Sequence, residues 1–272
     1  CNKCPQLNFF KIFNISNKIF KKKKNIFDKF QPKILLENNF TKKLYDSSPV
    51  TQNTYNNYVY LTVRDERKKF YEKNIARKML NFNINDKILL FGTFNLDAPH
   101  KGGRILNEIL GEFKKILDLK IKKENQSPVK LITFGRKHNF NFNISGIEWI
   151  HLGEIFDDNK LNLLYRAADA FLSPSTGCNG PATIREAIVN NLPVVAFDKG
   201  EAEESLIDGV NGYVVSCFNK KYFAESIYKS LYSNKLDIEK DINQTIKLRY
   251  DPMSEAKKIV KLAQEDLEKM KK

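Results

Sequence analysis

Long hydrophobic runs are the first feature that the sequence lacks. No stretch approaches the roughly eighteen consecutive apolar residues of a membrane-spanning helix, although hydrophobic residues make up 42% of the chain. The amino terminus has no signal-peptide pattern, and the first residue is not Met. We therefore expect a globular, cytoplasmic protein, and we interpret the chain as part of a longer one.

Cysteine is also scarce, with four residues in 272: Cys1, Cys4, Cys178 and Cys217. Two lie close together at the amino terminus and two are isolated, which is not the spacing of a secreted disulfide framework. The pair Cys1 and Cys4 has the spacing of half a metal site. Because no second pair accompanies it, we expect free thiols and no metal.

Positive charge is concentrated in the first third of the chain. Residues 1–85 hold 18 Lys and Arg against 6 Asp and Glu, so they carry +12 of the formal net charge of +14. They include a Lys-rich amphipathic segment from Phe9 to Phe30 and a predicted strand at Tyr58–Val63, but no independent core. Such a segment indicates an anionic partner such as a phospholipid surface, or else a solvated Lys-rich face. Nothing in residues 86–250 resembles a base-reading motif, so we expect no nucleic acid partner.

Residues 86–234 alternate between short apolar runs and helical patterns. Helical spacing appears in three stripes, which are Ile105 to Leu117, Leu161 to Ala168 and Phe223 to Leu231. Strands that are apolar throughout and separated by helices predict a doubly wound α/β domain with a parallel sheet. The six predicted strands are Ile88–Phe91, Leu131–Phe134, Trp149–Leu152, Ala170–Leu172, Val194–Phe197 and Tyr213–Val215.

The chain thus divides into three predicted parts. Residues 1–85 form a basic remnant, residues 86–234 form the α/β domain, and residues 235–272 form two helices that break around Asp251-Pro252. In a doubly wound domain, ligands bind outside the carboxyl ends of the strands, where loops lead into helices. Tyr165, Asp169 and Asp198 are interpreted first as packing and strand-end residues.

Three stretches of the sequence resemble glycosyltransferase family 4, whose members have the two-domain GT-B fold. The first is L-L-F-G-T-F-N-L-D-A-P-H-K-G-G-R-I-L, Leu89 to Leu106, with a Lys-Gly pair that opens a helix. The second runs from His151 to Ser175 and ends in Pro-Ser, and the third is G-P-A-T-I-R-E-A-I-V-N-N-L-P-V-V-A-F-D-K-G, Gly180 to Gly200, followed by Ile207 to Val215. In addition, C-N-K-C-P-Q-L, Cys1 to Leu7, resembles a stretch inside the acceptor domain of a bacterial subgroup. The resemblance implies a Rossmann-like donor domain behind an incomplete acceptor domain.

The resemblance implies a site for a nucleotide-sugar donor and no cofactor or metal. Lys101 would bind the pyrophosphate beside Gly102, after a strand that ends at Gly92, and Glu186 would bind the ribose. These two are the candidate catalytic residues. A helix start at Gly180, Pro181, Ala182 and Thr183 would face the sugar or phosphate, because free N–H groups and the helix dipole favour anions there. Glu154 and Ile155 would cradle the base, although a plain strand-end turn is the alternative.

Two positions depart from the family pattern. Thr93 stands where the family usually has an Arg, so one positive charge is missing at the pyrophosphate. Cys178 stands where the family has an acidic residue that contacts the transferred sugar, and a thiol supplies neither its charge nor its two acceptor oxygens. We therefore expect measurable nucleotide binding with slow transfer.

These residues together predict a glycosyltransferase of the hexosyl type. It would move a sugar from a nucleotide-sugar donor to a glycan or lipid-linked acceptor, with retention at the anomeric carbon, at the inner face of an anionic membrane. The alternative is a non-catalytic remnant that only binds a nucleotide or a partner, since the fold alone hosts many activities.

Overall fold

The computed structural model describes residues 15–51, 54, 56–59, 62–63, 71–121, 127–177, 182–233 and 249–270. The chain divides into two compact units, Cys1–Tyr60 and Leu61–Lys272. Residues 71–85, which the charge pattern groups with the basic segment, belong to the second unit.

The described part of the first unit contains two helices and two short strands. Helix α1 (Ile15–Phe30) is the Lys-rich amphipathic segment, and it is followed by β1 (Ile34–Leu36), α2 (Asn39–Ser47) and β2 (Asn56–Tyr58). Strands β1 and β2 pair in parallel. The strand predicted at Tyr58–Val63 was wrong in position, because strand structure ends at Tyr58 and the described residues beyond it are not strand. Val63 is buried and its N–H faces the carbonyl of Tyr250 at 3.4 Å, outside any strand ladder.

The second unit is an α/β domain, as the alternation of patterns predicts. Its strands are four to nine residues long and rich in apolar residues, and helices separate most of them. In chain order the elements are α3 (Lys73–Met79), β3 (Lys87–Asn95), a 3₁₀ turn (Pro99–Lys101), α4 (Gly103–Lys120), β4 (Val129–Arg136), β5 (Ile147–His151), α5 (Asp158–Ala167), β6 (Ala170–Ser173), α6 (Ala182–Val189), β7 (Val194–Phe197), α7 (Glu201–Ser205), β8 (Gly212–Val215), α8 (Lys220–Tyr232) and α9 (Pro252–Met270). Helix α9 begins at Pro252, at the predicted break, because Pro is suited to the first turn of a helix.

The six strands β3 to β8 form one sheet in the order β5-β4-β3-β6-β7-β8, and every neighbouring pair is parallel. All six predicted strands are confirmed within a few residues at their ends. The chain moves outward from β3 to β5, returns to the middle at β6, and then moves outward the other way to β8. The strand order therefore reverses between β3 and β6, which is the place where such sheets bind ligands.

The core has two layers, one on each face of the sheet, because successive strand residues point to opposite faces. Along β3, Ile88 and Leu90 face α5, α6 and α7, whereas Leu89 and Phe91 face α4 and α8. The stripe of α4 from Ile109 to Leu117 is fully buried. The predicted helical stripes thus cover both faces of the sheet and leave its strand ends open.

Candidate functional site

Within β3, Gly92 leaves room for an aromatic ring of the neighbouring strand β4. A Cβ atom on Gly92 would lie 1.9 Å from the ring of Phe134, so the aromatic ring occupies the space that a side chain would need. Strand β3 does not end at Gly92 but continues to Asn95, with a shift in its pairing to β4 between these two residues. Thr93 is therefore a strand residue, and it is half-buried.

Gly102 connects the 3₁₀ turn to α4 in a conformation that favours glycine. Its φ is +80°, and a Cβ atom would lie 2.0 Å from the carbonyl oxygen of Pro174 at the end of β6. The backbone can pass there only without a side chain. Lys101, which immediately precedes it, is half-buried at the mouth of α4.

The loops after β3 and β6 are held together by hydrogen bonds to one carbonyl group. The backbone oxygen of His100 accepts from the Oγ of Ser175 and from the N–H of Thr176, each at 3.0 Å. Since Gly102 also touches Pro174, the Lys101 turn and the segment that leads toward α6 lie side by side. This is the juxtaposition that a doubly wound sheet produces where its strand order reverses.

Helix α6 carries Glu186, which is buried at 4% exposure. The hydroxyl of Tyr165, on α5, donates to its Oε2 atom at 2.6 Å. Ala182 and Thr183 form the start of the helix, exposed and half-buried respectively. The positions Cys178, Gly180 and Pro181 lie outside the residues that the structure describes.

A cleft of about 420 Å³ lies at the carboxyl ends of β4 and β5. In the sheet order these strands are on the opposite side of β3 from β6. Arg136 lies along one wall, where its Nε donates to Glu154 at 2.8 Å and its guanidinium stacks 4.6 Å from the ring of Phe94. Ile155 is half-buried and packs against the core. The lining residues are Gly135, Arg136, Lys137, His138, His151, Gly153 and Glu154.

His151 has an environment that opposes its protonation. Burial lowers the pKa of its imidazole, and the positive charge of Lys137 lowers this pKa further. Its Nδ1 lies 3.0 Å from the hydroxyl oxygen of Thr133. That oxygen accepts from the indole N–H of Trp149 at 2.8 Å. The imidazole in the cleft is therefore favoured in its neutral form.

A carboxylate ties the loops after β3 and β4 together. Asp97 accepts from the N–H of His138 at 2.7 Å and from the N–H of Asn139 at 3.1 Å. These backbone donors hold the pKa of the Asp97 carboxyl below its usual value. These hydrogen bonds hold the loop after β3 against the loop after β4, which borders the cleft.

The described candidates all belong to elements that meet at the carboxyl edge of the sheet. Gly92 and Thr93 lie in the second half of β3, and Lys101 and Gly102 follow it. Ala182, Thr183 and Glu186 lie in α6, and Glu154 and Ile155 follow β5. The sequence did not identify Tyr165 or Arg136 as candidate site residues. A single Tyr in a helix resembles core packing, and the pairing of Arg136 with Glu154 depends on two adjacent strands.

The family described as "Glycosyl transferases group 1" matches residues 86–233. No curated protein sequence matches the chain. Among solved structures, the chain is similar to sucrose-phosphate synthase from Thermosynechococcus elongatus, with 16% identity, a TM-score of 0.68, and coverage of 96% of this chain and 64% of that one. It is also similar to HepE of Anabaena in complex with UDP, with 17% identity, a TM-score of 0.71, and coverage of 92% and 68%. A glycosyltransferase from Rickettsia africae matches with 18% identity, a TM-score of 0.66, and coverage of 94% and 69%. The chain spans about two thirds of the length of these structures, and at such identities the likeness establishes the fold.

Proposed function

The chain belongs to the glycosyl transferases group 1 family, and we propose that it supplies the nucleotide-sugar donor site of a glycosyltransferase with the GT-B fold. The observation that carries this proposal is the junction at His100. Its carbonyl binds the loop after β6 and places the Lys101 turn beside the segment that leads into α6. A cation and the start of α4 thus lie beside the segment that leads toward α6, where the strand order reverses.

The proposed roles follow from the charge that develops during transfer. When the bond between the sugar and the diphosphate breaks, negative charge moves onto the diphosphate, and a preorganised positive field lowers the energy of that transition state. Lys101 supplies a full charge, and the N–H groups at the starts of α4 and α6 supply partial charges. The transfer is proposed to need no metal ion, because these groups act on the leaving diphosphate.

The nucleoside is proposed to lie toward β5 and the diphosphate toward β6. From β5 to β6 there are three strand spacings, or about 14 Å. The cleft beside Glu154 lies at one end of this line and the Lys101 turn lies toward the other. Glu186 is proposed to accept hydrogen bonds from the ribose. The acceptor is proposed to be a glycan or a lipid-linked sugar, with retention at the anomeric carbon.

The direct test compares UDP binding by the unmodified chain, Lys101→Ala and Lys120→Ala. UDP is chosen because HepE, a protein with the same fold, is described in complex with it. Lys120 is an exposed lysine in the last turn of α4, at the opposite edge of the sheet. We expect Lys101→Ala to weaken UDP binding by about 1.5–3 kcal/mol, the cost of a lost charge-assisted hydrogen bond, and Lys120→Ala to leave it unchanged.

Calorimetry at constant ionic strength measures both affinities. Equal UDP affinity in Lys101→Ala and the unmodified chain would show that Lys101 is ordinary surface charge. An absence of binding for UDP, GDP and ADP alike would remove the donor-site proposal itself.

The first unit is proposed to contact an anionic membrane surface through α1. Ile19, Ile26 and Phe30 are exposed at 47%, 43% and 67%, and at 100° per residue they fall on one face of the helix. Lys22 and Lys23 flank that face and are exposed. None of the described helices has the length and apolar character of a membrane span. An apolar stripe edged by lysines is the arrangement of a helix that lies in the lipid interface.

Vesicle co-sedimentation tests this contact. Replacing Lys21 to Lys24 by Gln is expected to reduce binding to vesicles rich in anionic phospholipid by at least about tenfold at low salt, because each Lys contributes about 1 kcal/mol near such a surface. Ile19→Ser with Ile26→Ser is expected to reduce it too, whereas Ile259→Ser with Val260→Ser in α9, which are equally exposed, is the control. Failure of the unmodified chain to sediment with anionic vesicles at low salt would refute the proposal.

A further inference from the structure

A buried hydrogen bond links the helix before β6 to the helix after it. Tyr165 is 1% exposed and Glu186 is 4% exposed, and the tyrosine hydroxyl donates to Oε2 of the carboxylate at 2.6 Å. A buried ionised carboxylate needs hydrogen-bond donors, because its desolvation is otherwise costly. The contact therefore determines where Glu186 points as well as how it is stabilised.

The tyrosine ring is itself held by two aromatic neighbours. Phe134 meets it edge to face, with ring centres 6.2 Å apart and an interplanar angle of 83°, and Phe171 lies 5.8 Å away at 51°. Phe134 in turn occupies the space over Gly92 that a Cβ atom would fill. A continuous packing path thus runs from Gly92 through Phe134 and Tyr165 to Glu186.

The Tyr165 hydroxyl can orient the Glu186 carboxylate for hydrogen bonding to a ligand. An ionised carboxylate has about four acceptor sites, so a hydroxyl on one oxygen constrains its orientation and occupies one of them. A ribose presents two adjacent hydroxyl donors, which a carboxylate in a fixed orientation can receive. Fixing the side chain before binding reduces the entropy that binding would otherwise cost.

We infer that Tyr165 is a positioning residue that orients Glu186 toward the ribose of the donor nucleotide. This inference rests on the proposed function, in which Glu186 binds the ribose. Tyr165 acts through Glu186 and not by touching the nucleotide. Its removal should therefore weaken the recognition of the ribose hydroxyls and spare the rest of the nucleotide.

The experiment measures the affinity ratio between UDP and 2′,3′-dideoxy-UDP, which lacks both ribose hydroxyls. In Tyr165→Phe the ring remains and only the hydroxyl is lost. We expect this substitution to lower the ratio by about fivefold or more, consistent with the loss of one aligned acceptor, and Glu186→Gln to lower it at least as much. Affinity for dideoxy-UDP should change less than twofold, since the base and diphosphate contacts remain.

Tyr250→Phe is the matched control. Tyr250 is fully buried and its hydroxyl also donates to a buried carboxylate, that of Glu201. Its hydroxyl also hydrogen-bonds to Ser205, so Tyr250→Phe should lower the melting temperature at least as much as Tyr165→Phe does. It should nevertheless leave the ribose ratio within twofold of the unmodified chain. The ratio separates positioning from stability, because each tyrosine variant loses a buried hydroxyl that donates to a carboxylate.

The outcomes distinguish the inference from its premise. An unchanged ratio in Tyr165→Phe, with a lowered ratio in Glu186→Gln, would show that Tyr165 is only a packing residue and overturn the inference. An unchanged ratio in Glu186→Gln would instead remove the ribose role of Glu186, and the inference would fail with it. Equal loss of the ratio in Tyr250→Phe would show that general destabilisation, and not positioning, causes the effect.

Discussion

At the scale of single residues, we expect His151 to make the stability of the fold depend on pH. Its pKa is lowered by burial and by Lys137, so the folded state binds a proton less readily than the unfolded chain does. The stability contributed by neutral His151 is fully present above the unfolded pKa of about 6.5. It is lost as the pH falls through the lower, folded pKa.

We therefore expect the melting temperature of the unmodified chain to fall more steeply between about pH 7 and pH 5 than that of His151→Gln. Glutamine keeps a polar group near Thr133 but does not titrate. Thermal melts at several pH values in one buffer series measure the difference. Parallel curves for the two proteins would show that the protonation of His151 does not oppose folding.

Some residues of the candidate site could be identified from the sequence, and others could not. Lys101 and Gly102 stand in a Lys-Gly pair after a strand, and the structure places both at the mouth of α4. Tyr165 was interpreted as packing, because nothing in a local pattern shows that its hydroxyl meets a carboxylate 21 residues away. Contacts between side chains on different elements depend on tertiary packing, and no spacing rule encodes them.

At the scale of elements, Asp169 anchors α3 to the sheet. Its carboxylate accepts from Lys73, from the guanidinium of Arg77 and from the N–H of Ile88, each at 2.7 Å. Arg77 is 3% exposed, so it depends on this partner for its counter-charge. These contacts lie at the amino ends of β3 and β6, opposite the candidate site.

We expect Asp169→Asn to lower the free energy of unfolding by about 3 kcal/mol, because it leaves a buried guanidinium without its counter-charge. Asp118→Asn, which breaks the solvent-exposed pair with Lys114 on α4, is expected to cost less than about 1 kcal/mol. Urea denaturation measures both. Similar losses of unfolding free energy in the two variants would show that Asp169 does not anchor α3. Both variants should keep the UDP affinity of the unmodified chain.

Elements in the second unit were more predictable than those in the first. Apolar runs bounded by polar residues identified all six strands of the large sheet, because parallel strands covered on both faces are mostly apolar. The extent of β3 beyond Gly92 was missed, since the pairing that extends it depends on the next strand. Strand β2 consists of polar residues, Asn56–Tyr58, and such a strand has no hydrophobic pattern to identify it.

At the scale of the whole molecule, the Lys-rich helix α1 and the candidate donor-site residues lie in different units. The exposed lysines and apolar stripe of α1 lie in the first unit, whereas every described candidate for donor binding lies in the second. We therefore expect the proposed membrane contact and the proposed nucleotide binding to be separable by mutation. The Lys21 to Lys24 variant should keep its affinity for UDP, and Lys101→Ala should keep its affinity for vesicles.

The place where the strand order reverses also bears on how the domain folds. Strands β3, β4 and β5 pair within residues 87–151, and β6, β7 and β8 pair within residues 170–215. Only two paired positions, Leu89 with Ala170 and Leu90 with Phe171, join these halves. Closing a segment of about eighty residues carries an entropic cost that local pairing does not, and pairings between distant residues slow folding. We therefore expect local pairing within each half to precede the joining of β3 to β6. Helices α4 and α8, which come from different halves, pack into one core with the sheet, so this core is complete only after the halves have joined. Because the Lys101 turn and the start of α6 also belong to different halves, the proposed donor site should be among the last features to form.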